Sequence, residues 1–98
     1  LKGVTAEARD LARRPMLAEE LRRTSHVLFD PPRAGAIEQV REIARSGVGK
    51  VIGVSCNPAT FARDASVLIE AGFRLSSVLP VDQFLWSPHV ELVGLFER

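Results

Sequence analysis

KVIGVSCNPATFARDASVLIEAG, residues 50–72, decides the architecture. The apolar run from Lys50 to Cys56 reads as a strand buried on both faces, the pattern of a parallel sheet. Asn57 is a helix-capping residue, and Pro58 suits a first helical turn, where its missing N–H has no partner to lose. Phe61, Ala65, Leu68 and Ala71 then share one side of a helix that Gly72 ends. A strand that passes straight into a helix is the building unit of α/β folds.

Working outward, His26-Val-Leu-Phe-Asp30 is a second short apolar run, closed by an acid. Between the two strands, Ala36 to Ser46 places Ile37, Val40 and Ala44 on one helical face, with Gly47 as a stop signal. Downstream, Phe73 to Leu79 and residues 90–96 read as two more strands, joined by a loop from Pro80 to His89. That loop is too short for a crossover helix, so the last strand is expected to run antiparallel to the others. The opening segment reads as a strand end near Val4 to Ala8, a loop, and a short helix over Leu17 to Arg22. The expectation is an α/β domain, part of a doubly wound and mostly parallel sheet with a terminal antiparallel strand.

Composition narrows the function classes. Ninety-eight residues make one small domain with a single modest core. Thirteen basic against twelve acidic side chains leave +1, so no global field marks a polyanion partner. Six basic and four acidic groups in the first 24 residues are too mild an excess to form a nucleic-acid patch. One cysteine excludes an internal disulfide and any cysteine-built zinc or iron–sulfur site within these residues. No apolar stretch approaches the ~18 residues of a membrane span and no signal peptide opens the sequence, so a cytoplasmic setting is expected. The first residues are Leu-Lys-Gly rather than Met, as in a piece of something longer.

Ligands of such sheets sit beyond the carboxyl ends of the strands, and three chemically able side chains fall there. Asp30 leads into Pro31-Pro32-Arg33, a stiff loop that cannot continue a strand; it either holds a planar group in a pocket or is a Pro-rich turn with a capping acid. Cys56 stands at a strand end just before a helix N-terminus, where unpaired N–H groups favour a thiolate. A lone cysteine is also a common small core hydrophobe. Glu91 lies where loop turns into a very apolar strand, so partial desolvation would raise its pKa and make it a base. The alternative is an edge charge that prevents strand pairing with neighbours. His89 is ambiguous between a surface and a chemical role.

Together, DPPRAGA (residues 30–36), VSCNPATFARD (residues 54–64) and the His89-Val90-Glu91 motif resemble the RNA uracil-5-methyltransferases of the RumA/TrmA type, which use S-adenosylmethionine. The intervals of 26 positions from Asp30 to Cys56 and 35 from Cys56 to Glu91 fit as well. The resemblance implies that Cys56 is the nucleophile and Glu91 the general base. It makes Asp30 an acidic residue of the cofactor pocket and Asp10, in Ala8-Arg9-Asp10-Leu11, a further cofactor-contacting position. Arg33 or Arg63 would hold an RNA phosphate or stack on a base, or else make a surface ion pair. The RNA would be ribosomal or transfer RNA, with no membrane involved.

That family's catalytic domain opens with a strand and a Gly-rich turn for the cofactor, and nothing here matches one. The expectation is therefore the C-terminal half of a methyltransferase domain, holding nucleophile and base but part of the cofactor pocket. Three other readings stand beside it. Amino-methyltransferases also carry Asp/Asn-Pro-Pro after this strand, usually followed by an aromatic residue where Arg33 stands here. A non-catalytic α/β interaction module would simply pack Cys56. A thiol-redox protein would require a resolving cysteine, which is absent.

Overall fold

Two helices and four strands follow one another as β1 (His26–Phe29), α1 (Ile37–Arg45), β2 (Lys50–Ser55), α2 (Pro58–Glu70), β3 (Arg74–Asp82) and β4 (Val90–Glu97). The computed structural model describes residues 3–82 and 90–98. The elements fall within a few residues of the sequence expectation. β3 is the main exception, since it runs on through Pro80, which was expected to open a loop. Pro80 is tolerated because β3 is an edge strand among the described residues, the place in a sheet where proline is found.

The sheet order is β1-β2-β4-β3. β1 and β2 are parallel, whereas β4 runs antiparallel to both β2 and β3. The last strand is thus antiparallel to the rest, as expected. The sheet is not mostly parallel in its pairing, however. β4 is inserted between β2 and β3, which converts a would-be parallel neighbour pair into two antiparallel ones. A β-bulge between Leu75 and Ser77 adjusts the β3–β4 register.

Both helices cover the same face of this sheet. Val40 and Ile43 of α1, Ala65 and Leu68 of α2, Val51 of β2 and Phe96 of β4 form one core with Leu21, Val48 and Phe73. The other face is not covered by the described residues: Leu28 is 69% exposed and Ile52 39%. The two-sided burial expected of β1 and β2 therefore holds on one side only.

Local chemistry ends the helices. Gly72, at φ +101°, takes the left-handed position after α2. The Gly72 and Phe73 amides donate to the Ile69 and Leu68 carbonyls, which completes a Schellman motif with Phe73 packed into the core. Arg98 ties both helix ends together. Its guanidinium donates to the carbonyls of Ile43, Ala44, Ser46, Val48 and Ala71 and lies over the Phe73 ring, 4.1 Å from its centroid.

The opening segment forms neither the strand nor the helix expected of it; it is a chain of turns held by side chains. Arg9 is its hub, donating to the Arg14 and Pro15 carbonyls and to both carboxylate oxygens of Glu20 at 2.9 and 3.0 Å. Buried Gln39 exchanges two hydrogen bonds with the Met16 backbone, and Glu42 accepts from the Ala18 amide, which docks the segment onto α1.

Candidate active site

Register brings three of the expected site residues to one edge of the sheet. Ser55, the last residue of β2, pairs with Leu92 of β4. One step further, Cys56 directly follows β2, and Glu91 directly precedes Leu92 near the start of β4, where it pairs with Val81 of β3. The thiol and the carboxylate therefore stand at the same end of the sheet, each next in sequence to a member of one directly paired couple. Both residues are half-buried. Phe29 pairs with Gly53, so Asp30 ends the adjacent strand, level with Val54. Asp30 and Cys56 directly follow β1 and β2, and Glu91 lies near the start of β4, all at the end where ligands of α/β sheets bind.

The backbone around Cys56 is fastened on its C-terminal side. Buried Ser55 accepts from the Asn57 amide at 3.1 Å through its hydroxyl, which also donates to the Asn57 carbonyl at 3.0 Å. The Asn57 side chain accepts from the Ala59 amide at 3.0 Å, capping α2 as its residue type suggests. Cys56 is therefore set immediately ahead of a capped helix N-terminus.

The same helix grips the Asp30 loop. The Asn57 amide group and the Thr60 hydroxyl both donate to the Arg33 carbonyl, at 3.1 and 3.0 Å. Arg63 donates to the Ala34 carbonyl at 2.8 Å and to Asp64. Asp64, only 4% exposed, accepts from the Ala36 amide at 2.8 Å. Gly35 crosses this cluster at φ +82°, where an added Cβ would lie 2.5 Å from an Arg63 nitrogen and 2.9 Å from an Asp64 oxygen. Only glycine fits there.

On the other side of Asp30 lies a cleft of about 470 Å³, within the roughly 300–1,000 Å³ usual for small-molecule sites. Asp10 and Asp30 both line it, together with Leu11, Leu28, Pro31 and Pro32. The docked opening segment carries Asp10 to this position. Within that segment the Arg9 guanidinium, hydrogen-bonded to Glu20, holds the Glu20 carboxyl at about 2, with help from the Leu17 amide.

The structure thus groups the expected residues in two sets: Asp10 and Asp30 line one cleft, and Cys56 and Glu91 each adjoin a member of the Ser55–Leu92 pair. Cys56 and Glu91 are not among the residues lining the cleft. Arg63 is engaged with Asp64 and the loop backbone. His89 lies outside the described residues. Sequence reading missed the grip of α2 on the Asp30 loop, although Asn57, Thr60 and Asp64 recur at helical spacing as polar residues on one face. The anchoring roles of Gln39 and Arg9 had no sequence signal.

The chain matches the profile of the tRNA (uracil-5-)-methyltransferase family over residues 3–98. It is 67% identical over all 98 residues to a Caulobacter vibrioides protein described as an uncharacterized RNA methyltransferase, of which it spans 24%. It is 47% identical over 72 residues, 74% of this chain and 16% of the relative, to the 23S rRNA (uracil(1939)-C(5))-methyltransferase RlmD of Alcanivorax borkumensis. Among solved structures, the Pyrococcus abyssi tRNA (uracil-54, C5)-methyltransferase in complex with S-adenosyl-L-homocysteine superposes with a TM-score of 0.64 at 41% identity. That match covers 74% of this chain and 18% of that one. The chain spans about a quarter of the length of the relatives that it matches throughout.

Proposed function

Since the chain belongs to the tRNA (uracil-5-)-methyltransferase family, we propose that it is the C-terminal part of the methyltransferase domain of a longer enzyme, which methylates C5 of a uridine in ribosomal or transfer RNA. The observation that carries this reading is the placement of Cys56 and Glu91, each next to a member of the Ser55–Leu92 pair, at the sheet end that Asp30 shares. The uncovered face carrying Leu28 and Ile52 is consistent with further elements of a parent domain packing there.

Uracil C5 is too weak a nucleophile to accept a methyl group unaided. The Cys56 thiolate adds to C6, forming an S–C6 bond and pushing the ring electron pair toward C5 and the O4 enolate. S-adenosylmethionine, when bound, supplies an electrophilic methyl group. Glu91 then takes the proton from C5, the C5–C6 double bond reforms, and the S–C6 bond breaks to release Cys56. The target base has to leave its stack to reach these groups.

The cleft fits part of the cofactor. Asp10 and Asp30 offer carboxylate acceptors for hydroxyl or ammonium donors, and Leu11, Leu28 and Pro31 offer apolar surface for a flat ring. The two adjacent prolines keep the Asp30 turn stiff.

RNA carrying 5-fluorouridine tests the reading on the full-length parent. Fluorine at C5 cannot be removed as a proton, so the enzyme should be trapped on RNA through Cys56. An amino-methyltransferase forms no such adduct, and its absence would defeat the proposal.

A further inference from the structure

We infer that Asp64, with Arg63, Thr60 and Asn57, is a positioning device that fixes the Asp30 turn relative to Cys56; the inference rests on the methyltransferase reading above. The four side chains come from the first two turns of α2, the helix that begins directly after Cys56. They hold three backbone groups of the loop: the Arg33 and Ala34 carbonyls and the Ala36 amide. Asp30, three residues before Arg33, is therefore referenced to the element that presents the nucleophile.

The construction of this contact argues for more than stability. Asp64 is a buried carboxylate, and a buried charge is costly unless it is paired and hydrogen-bonded. One oxygen takes the Ala36 amide and the other takes Arg63, so the charge is satisfied by the loop and by the group that also holds the loop. An apolar residue at position 64 would pack against Leu68 and Phe61 at lower desolvation cost, but it would give the loop no fixed register. Gly35, at φ +82°, fits under Arg63 and Asp64, where an added Cβ would collide with both. A displacement of about 1 Å between reacting groups costs up to ~100-fold in rate, which is the scale such a clamp protects.

The test uses the full-length parent, radiolabelled S-adenosylmethionine, and unmodified transfer RNA and 23S ribosomal RNA transcripts. In Asp64→Ala, kcat should fall by about 10- to 100-fold while KM for RNA stays unchanged. Asp64→Asn retains an acceptor for the Ala36 amide and should recover part of the rate. Arg98→Ala, which loosens the fold far from the loop, should leave kcat unchanged well below its melting temperature. An Asp64→Ala enzyme with wild-type kcat, or one in which Arg98→Ala lowers kcat equally, overturns the inference. If Asp64→Ala fails to fold, Thr60→Val takes its place, and an unchanged kcat there has the same force. A wild-type parent that leaves uridine C5 unmethylated overturns the methyltransferase reading itself, and this shows before any variant is compared.

Discussion

Cys56 and Glu91, 35 positions apart in sequence, each adjoin a member of the Ser55–Leu92 pair and so stand at the same end of the sheet. The antiparallel direction of β4 makes this possible, because the start of β4 meets the end of β2.

The two substitutions should fail at different points in the parent enzyme. Cys56→Ala cannot add to C6, so neither methyl transfer nor a covalent protein–RNA species forms. Glu91→Gln allows addition and methyl transfer but blocks proton removal. A positioned base contributes roughly a hundred- to ten-thousand-fold in rate, so a methylated adduct should accumulate and appear on a denaturing gel. Normal turnover by Glu91→Gln would remove Glu91 from its role.

Residues 1–98 alone should neither bind S-adenosylmethionine tightly nor methylate RNA. Among the described residues no Gly-rich strand–turn–helix, the usual seat for the anionic or polar end of such a cofactor, joins the cleft. Titration calorimetry showing micromolar binding would contradict this.

Arg98 should be a stability residue. Its guanidinium answers carbonyls at the ends of both helices, where the backbone ladder runs out of donors. Arg98→Ala should cost about 1–3 kcal/mol in urea unfolding. Arg98→Lys should restore only a fraction, since an ammonium cannot span five acceptors with planar geometry.

Gly94 lies under Phe61, and a Cβ there would come within 2.6 Å of the ring's Cζ. Phe61 is packed against Phe96, with ring centroids 6.1 Å apart, and has little room to retreat. Gly94→Ala should therefore destabilise by about 1–3 kcal/mol, the usual cost of overpacking, as read from the denaturation midpoint.

Acid should release the opening segment. Glu20 titrates at about 2 in the folded chain, against an ordinary value of 4.5. A depressed carboxyl stabilises the fold above its unfolded pKa, and that contribution is lost as pH falls through the folded one. Hydrogen-exchange protection of residues 9–20 should thus decline between about pH 4.5 and pH 2. Glu20→Gln should flatten this dependence.

Much of the fold was legible because each element carries its own period. α1, α2 and the limits of β1 and β2 follow from apolar spacing, the Asn57 cap and the Gly72 stop. The insertion of β4 between β2 and β3 was not legible, since strand order leaves no mark on any single strand. Nor was the one-sided cover of the sheet: Leu28 and Ile52 are as apolar as buried residues and reveal nothing of what covers them. The candidate site divides in the same way. Strand-end positions marked Asp30, Cys56 and Glu91, whereas Asp10 entered through family resemblance alone. The grip of α2 on the Asp30 loop went unseen because its acceptors are backbone carbonyls, which every residue has.

The central place of β4 also bears on how the protein is made. β4 is the last of the six elements in the sequence, yet it fills the middle of the sheet, bridging β2 and β3. On a ribosome, β3 therefore emerges before β4, the strand it pairs with among the described residues. Contacts of such long sequence separation form late and slowly. The residue that completes the candidate catalytic pair arrives on that same strand, so an unfinished nascent chain bears the thiol without its base. The competence proposed for Cys56 and Glu91 is thereby tied to completion of synthesis through β4.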